Sequence, residues 1–228
     1  MSATIETMGG TNEWLAYLQR HRVIGVVRAG EPELAYQMGA TLAQAGLRLI
    51  EITWDCPDAV QVIPRLQIAY PHCRVGTGTI RQTAELEAAL GLGVDFILTP
   101  HTRREWLGLA QMAGVPLMPG ALTPTEILQA HSWGAPAVKV FPIAAVGGAH
   151  YLRHLREPLG AIPLIPTGGI TRGDVPALLR AGAIAVGVGR DLFPEPYYSR
   201  RDWAGLCQEL QRWLGELGLT GDAARDSP

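Results

Sequence analysis

Lys139 is the first candidate for chemistry in this sequence, because it is the only lysine among the 19 lysine and arginine residues. It lies in an otherwise apolar run, AVKVF at 137–141. Burial among apolar residues disfavours the charged form of an amine, and a neutral amine can form a Schiff base with a carbonyl compound. The pattern therefore predicts a nucleophilic lysine. The alternative is a lysine at a strand end that extends into solvent.

Glu51 is a carboxylate in a similarly apolar run, LIEIT at 49–53. Because side chains alternate between the two faces of a strand, Glu51 and Lys139 each share a face with the other odd-numbered residues of their runs. If both faces point into one interior, the carboxylate lies near the amine. An acid–base group beside an imine-forming amine is what carbinolamine formation and C–C cleavage require. A structural ion pair between the two residues is the alternative.

Two glycine-bearing loops predict a phosphate site. Gly168 and Gly169 follow one apolar run, and Gly189 and Arg190 follow the next. Glycines allow backbone N–H groups to approach an anion, and Arg190 adds a positive charge. The alternative is that both loops are only tight turns.

Arg28 is a candidate for binding a substrate carboxylate, since a guanidinium pairs with a carboxylate through two parallel hydrogen bonds. It ends the apolar run at 23–28. The segment GTGT at 76–79 has small residues that admit a ligand and hydroxyls that can bind an anionic oxygen. For Arg28, an exposed salt bridge is the alternative.

From Val23 onward, apolar, β-branched runs alternate with segments of helical period, which is typical of repeated βα units around a parallel sheet. The predicted strands cover 23–28, 47–53, 74–79, 94–99, 115–119, 137–141, 162–166 and 183–188. The predicted helices cover 31–45, 57–69, 81–91, 102–112, 123–131, 148–156, 171–181 and 202–217, with an extra helix near 12–20. These units predict a single-domain TIM (β/α)8 barrel whose bottom the extra N-terminal helix closes; an open Rossmann sheet is the alternative.

Composition disfavours several classes of protein. A chain of 228 residues with 47% hydrophobic and 18% charged residues is typical of a globular protein, and a net charge of −2 offers no basic surface for nucleic acid. Three cysteines form no CxxC pair, and no apolar run is long enough for a membrane span, so we expect a cytoplasmic protein. We expect the barrel at 11–218, between a flexible N-terminus at 1–10 and a flexible tail at 219–228.

Several of these motifs together resemble one enzyme family. With Glu51 in LIEIT, Thr79 in VGTGT, Lys139 in VKVFP and PTGGI at 166–170, the chain resembles the 2-keto-3-deoxy-6-phosphogluconate and 4-hydroxy-2-oxoglutarate aldolases. The resemblance implies a class I aldolase without metal or cofactor that acts on a phosphorylated keto acid as a homotrimer. It implies Lys139 as the Schiff-base lysine and Glu51 as the acid–base residue. The implied substrate-binding residues are Arg28, Thr79, Pro100, Phe141, Gly168, Gly169, Gly189 and Arg190.

Two positions depart from the family pattern. Phosphogluconate-type members carry an arginine four residues after the glutamate, where this chain has Asp55. Phosphogalactonate-type members have a neutral residue there and an arginine at the end of the first strand, which Arg28 matches. If Arg28 binds the substrate carboxylate, Asp55 is expected to orient an arginine, either Arg28 or Arg190. Arg190 itself replaces a serine that the family often has.

Three functions are open at this point. The first is cleavage of a 2-keto-3-deoxy-6-phospho sugar acid to pyruvate and glyceraldehyde 3-phosphate. The second uses the same iminium to decarboxylate a β-keto acid such as oxaloacetate. The third is a barrel that binds phosphorylated ligands without catalysis, because Asp55 repels the substrate carboxylate.

Overall fold

The computed structural model describes residues 10–219, in which parallel strands alternate with helices. The strands of this part of the chain are β1 (Val23–Val27), β2 (Leu49–Thr53), β3 (Arg74–Gly78), β4 (Ile97–Leu98), β5 (Leu117–Met118), β6 (Gly120–Ala121), β7 (Val138–Val140), β8 (Leu164–Pro166) and β9 (Val186–Val188). They form a six-stranded sheet of order β5-β4-β3-β2-β1-β9 and a three-stranded sheet of order β6-β7-β8.

Helices precede, connect and follow the strands, and each predicted helical segment overlaps one of them. They are α1 (Gly10–His21), α2 (Pro32–Ala45), α3 (Ala59–Ala69), α4 (Thr83–Gly91), α5 (Arg104–Met112), α6 (Pro124–Ser132), α7 (Ala149–Leu159), α8 (Val175–Arg180), α9 (Glu195–Tyr198) and α10 (Trp203–Glu216). Local capping fixes some of their starts: before α6, Thr123 and Glu126 each bind the other's backbone N–H. Helix α9 and the 3₁₀ turns at Ala144–Val146 and Arg190–Leu192 were not predicted, and the predicted helix at 171–181 begins with a 3₁₀ turn at Arg172–Asp174.

The two sheets meet at both edges. The predicted strand at 115–119 contains β5, which pairs with β4. Directly after Pro119 the chain forms β6, which was not predicted and pairs with β7. The Pro119 carbonyl accepts the N–H of Lys139 at 2.9 Å. At the other edge, Thr167 after β8 pairs with Gly187 of β9 in a parallel bridge. The sheet order, with the first strand beside the last, differs from that of an open doubly wound sheet.

An apolar cluster fills the interior nearer the N-terminal ends of the strands. Helix α1 contributes Trp14 and Leu18, both fully buried, and the strands contribute residues such as Leu49, Ala137 and Ile165. Two positions after Leu49, Ala137 and Ile165 come Glu51, Lys139 and Thr167, which share their inward faces. These three residues lie beyond the cluster, toward the C-terminal ends of the strands. The apolar layer therefore leaves the C-terminal ends of the strands free for polar side chains.

The remaining global predictions concern the cysteines, the membrane and the chain ends. All three cysteines are unpaired thiols. Within residues 10–219, every helix is too short or too polar to cross a membrane. The predicted flexible ends lie outside the described residues, except that Gly10 begins α1 and the Leu219 N–H donates to the Leu214 carbonyl at 2.9 Å.

Candidate active site

A cavity of about 650 Å³ lies at the C-terminal ends of the strands. It is lined by all ten residues predicted for the site: Arg28, Glu51, Thr79, Pro100, Lys139, Phe141, Gly168, Gly169, Gly189 and Arg190. A second hollow of about 220 Å³, between α1 and α5, has no charged side chain among its described lining residues. Only the larger of these two cavities therefore offers groups for acid–base or nucleophilic chemistry.

Lys139 enters this cavity because the alternation of β7 directs it inward. Its neighbours Val138 and Val140 belong to the apolar layer between the sheets and the helices. Lys139 is only 5% exposed, and its Nζ lies 5.3 Å from the centroid of the Phe141 ring. The amine thus lies against an aromatic wall in the interior, and the alternative of a lysine extending into solvent is excluded.

Glu51 reaches the same cavity from β2 and is 1% exposed. Its Oε2 has no hydrogen-bond partner, and no ion pair joins it to Lys139 in the described chain. Burial raises the pKa of Glu51, although the positive charges of Lys139 and Arg28 oppose the shift. The structural ion pair is therefore not formed. A carboxyl group with a raised pKa keeps its proton to higher pH than an exposed glutamate does, and can donate that proton in a reaction.

Gly78 provides the space that the Glu51 side chain occupies. It lies on β3, beside Thr53 of the neighbouring β2. A Cβ atom at position 78 would overlap Oε1 of Glu51. From the sequence, the GTGT segment was expected only to admit a ligand and to bind an anionic oxygen. It also leaves the space that the side chain of the acid–base candidate Glu51 occupies.

Arg28 is held at the cavity by two side chains. Its Nη2 donates to Thr79 Oγ1 at 3.0 Å, and its Nε lies 3.3 Å from Asp55 Oδ1. Asp55 was expected to orient either Arg28 or Arg190, and it contacts Arg28. Asp55 itself does not line the cavity. Thr79 has φ +62°, in the left-handed region that a β-branched residue rarely adopts. Such strain is characteristic of functional sites and here places a hydroxyl beside the guanidinium.

The other end of the cavity is formed by the two glycine-bearing loops. Gly168 and Gly169 have φ values of +96° and +73°, which glycine adopts without strain. The backbone N–H groups of Gly168, Gly169 and Gly189 donate no hydrogen bond to any other described residue. Together with Arg190, they offer an anion several donors and a positive charge.

Nine further residues line the cavity and were not predicted from the sequence: Val26, Met38, Thr53, Thr167, Ile170, Gly187, Phe193, Glu195 and Tyr198. The last three belong to the segment after β9, where no regular pattern indicates which side chain faces the site. Thr53 lies on the same inward face of β2 as Glu51, and Thr167 continues the inward face of β8. Strand alternation could therefore have identified both residues.

Histidines and other metal ligands do not gather in this part of the molecule. His150 and His154 lie one turn apart on α7, with their Nε2 atoms 3.4 Å apart. Across residues 10–219, no group of three His, Cys, Asp or Glu side chains is arranged to hold a metal ion.

Comparison with known proteins places these features in one family. The family model described as "KDPG and KHG aldolase" matches residues 15–208. The chain is 31% identical to the 2-dehydro-3-deoxy-phosphogluconate aldolase of Pseudomonas aeruginosa over 80% of its own length and 83% of that protein. It is 30% identical to the 2-dehydro-3-deoxy-6-phosphogalactonate aldolase of Escherichia coli over 75% and 84%, respectively.

The fold agrees with that of a solved member of the family. The KDPG aldolase of Legionella pneumophila, captured with pyruvate as a covalent carbinolamine, superposes with a TM-score of 0.78 at 26% identity, covering 87% of this chain and 96% of that one. From the family match, the relatives and this agreement, the chain belongs to the KDPG and KHG aldolase family.

Proposed function

We propose that the chain is a class I aldolase that cleaves a 2-keto-3-deoxy-6-phospho sugar acid to pyruvate and glyceraldehyde 3-phosphate. The observation that carries this proposal is one cavity that holds a buried amine and a buried, unpartnered carboxyl group. The activities for which the relatives are named support it.

The chemistry follows from the two buried groups. The Lys139 amine attacks the C2 ketone of the substrate, and protonated Glu51 donates a proton as water leaves the carbinolamine to form an iminium. The resulting carboxylate then accepts the proton of the C4 hydroxyl as the C3–C4 bond breaks. The electrons of that bond move to the iminium and give an enamine. Protonation of the enamine and hydrolysis release pyruvate and restore Lys139.

Arg28 and Thr79 bind the pyruvyl carboxylate in this proposal, while the glycine loops and Arg190 bind the phosphate. Because the carboxylate carbon is bonded to C2, its site adjoins the Lys139 amine, whereas the phosphate on C6 is bound further along the cavity. Phe141 and Pro100 form walls beside the imine. Asp55 contributes through its contact with Arg28, which counters the idea that it repels the substrate carboxylate.

Product analysis tests the activity. Incubation with 2-keto-3-deoxy-6-phosphogluconate and with its C4 epimer is expected to yield pyruvate and glyceraldehyde 3-phosphate in equal amounts from at least one of them. Oxaloacetate serves as the comparison substrate. Efficient release of CO₂ from oxaloacetate with no sugar-acid cleavage would establish the decarboxylase instead, and tight phospho-ligand binding without any product would establish the non-catalytic barrel. Neither a decarboxylase nor a non-catalytic barrel accounts for both the two phosphate loops and the buried acid.

Arg28→Ala is expected to weaken substrate binding by about 1.5–3 kcal/mol, the range for hydrogen bonds to charged groups. This corresponds to a roughly 10- to 150-fold rise in KM. The side chain is 61% exposed, which is why a larger effect, typical of a fully buried pair, is not expected. Steady-state kinetics measure the change, and an unaltered KM would remove Arg28 from the carboxylate site.

Asp55→Arg is the companion variant, because it replaces the partner of Arg28 with a like charge. It is expected to impair activity by displacing the Arg28 guanidinium from Thr79. Higher activity toward the phosphogluconate-derived substrate would show that position 55 itself binds the carboxylate.

The same proposal covers the finer architecture. The hydrogen bonds at both sheet edges support a closed (β/α)8 barrel of a single domain at 11–218, with α1 across its N-terminal end. A cytoplasmic location and a homotrimer are also proposed. Ile68 and Met112 are 82% and 80% exposed, and contact between subunits would cover such apolar surface.

A further inference from the structure

Three charged side chains behind the cavity connect the two glycine-bearing loops. Asp191 Oδ2 accepts the backbone N–H of Arg172 at 2.6 Å and lies 3.4 Å from its Nε. The Nη1 of Arg172 donates to Glu209 Oε1 on α10. None of the three residues lines the cavity, so each acts through its neighbours.

The sequence positions of these residues explain what they join. Arg172 follows the loop that contains Gly168 and Gly169, and Asp191 directly follows Arg190 in the other loop. Glu209 connects Arg172, and through it Asp191, to the long C-terminal helix. Burial opposes ionisation of Glu209, but hydrogen bonds from Arg172 and Tyr197 lower its pKa and keep it charged.

The phosphate loops are hydrogen-bonded through their carbonyls, since Gly168 accepts the Ala144 N–H at 3.2 Å and Gly189 accepts the Leu192 N–H at 2.9 Å, but these bonds do not join one loop to the other. Glycine has the greatest conformational freedom of any residue, and unpaired N–H groups add no hydrogen bonds to hold the loop. The donors of the two loops must nevertheless converge on one anion to bind it well. Arg172 also pairs the Asp191 carboxylate, which would otherwise lie as a free negative charge next to Arg190.

We infer that Arg172, Asp191 and Glu209 are positioning residues that fix the two loops at the spacing a phosphate dianion requires. This inference rests on the proposed function, since it assigns the loops to the substrate phosphate. Its specific consequence is that loss of the network weakens binding at the phosphate end and leaves the amine end of the cavity unchanged.

The test compares Asp191→Asn and Glu209→Gln with the control Asp95→Asn. Asp95 is a matched control because it also pairs with an arginine, Arg74, at 3.3 Å and accepts a backbone N–H, from Val75 at 2.8 Å. It lies at the start of the strands, far along the barrel from the phosphate loops. Thermal unfolding by circular dichroism verifies that each variant is folded.

The two test variants are expected to raise the KM for the phosphorylated sugar acid about tenfold, as displacement of binding groups does, with kcat nearly unchanged. The pyruvate concentration that half-saturates borohydride trapping at Lys139 should stay at the wild-type value. Asp95→Asn should change neither quantity. Equal losses at both ends of the substrate, or no loss at all, would overturn the inference.

Inorganic phosphate separates this inference from the proposed function. Its Kd, measured by isothermal titration calorimetry, is expected to rise about tenfold in Asp191→Asn and to stay unchanged in Asp95→Asn. This result is expected whether or not the wild-type protein cleaves a sugar acid. Absence of cleavage would therefore reject the proposed function, whereas an unchanged phosphate Kd would reject the network.

Discussion

Lys139→Ala is expected to abolish turnover, with a loss on the order of 10⁴-fold or more, as found when the nucleophile of a covalent mechanism is removed. No other lysine exists to replace it, since the other 18 of the 19 lysine and arginine residues are arginines. With the wild-type protein, pyruvate and borohydride should place a stable adduct on the peptide that contains Lys139. Peptide mass mapping and a coupled assay for pyruvate release measure the two effects.

Lys139→Met is the matched control, because it nearly fills the same volume without an amine. It should lose activity to the same extent as the alanine variant, while both unfold near the wild-type temperature. The only other primary amine is that of the chain's N-terminus. A label confined to that group, or no label at all, would contradict a class I mechanism.

The position of the proposed catalytic pair could be predicted because parallel strands constrain it strongly. In LIEIT and AVKVF, strict alternation fixes which side chains point inward, and the C-terminal ends of parallel strands lie at one side of the sheets. Leu49 and Ala137 occupy the apolar layer, and Glu51 and Lys139, two residues further along, enter the cavity. Two residues nearly 90 positions apart could therefore be paired from local pattern alone.

Strand boundaries were harder to predict, since hydrogen bonding and not hydrophobicity defines them. The apolar run at 94–99 forms only the two-residue strand β4. Pro119 separates β5 from the unpredicted strand β6, because proline has no N–H to donate to a neighbouring strand. These local breaks do not change which residues face the cavity.

The contacts between charged side chains behind the site come from tertiary structure and leave no periodic signal. Asp191 and Glu209 lie 19 and 37 positions from Arg172, and only the folded chain brings them together. Arg28 shows that two interpretations can both hold: it forms the exposed salt bridge offered as its alternative, with Asp55, and it still lines the cavity.

Glu51→Gln is expected to lower kcat by a factor on the order of 100 or more, as removal of a general acid–base group does. The amide has nearly the shape of the protonated acid, so the fold and pyruvate binding should be retained. Steady-state kinetics and pyruvate binding measure the two properties separately. Near-normal turnover would show that the proton transfers are made by another group.

The same substitution is expected to stabilise the protein at alkaline pH. Burial raises the pKa of Glu51 above its value of 4.5 in the unfolded chain, so the folded state holds its proton to higher pH. Stability therefore falls as pH rises through the window between the two pKa values, because the ionised carboxylate is less favourable when buried. Glutamine does not ionise, so the unfolding temperature of the variant should exceed that of the wild type at pH 8 and approach it near pH 4.

Glu33→Gln provides the control of opposite sign. Glu33 is exposed on α2, and a hydrogen bond from Arg65 lowers the pKa of its carboxyl group, so this variant should gain no stability at pH 8. A structural ion pair between Glu51 and Lys139 would make Glu51→Gln lose stability and activity together. If the variant instead loses turnover and has a higher unfolding temperature at pH 8, Glu51 is a group that serves the reaction and destabilises the folded protein at that pH.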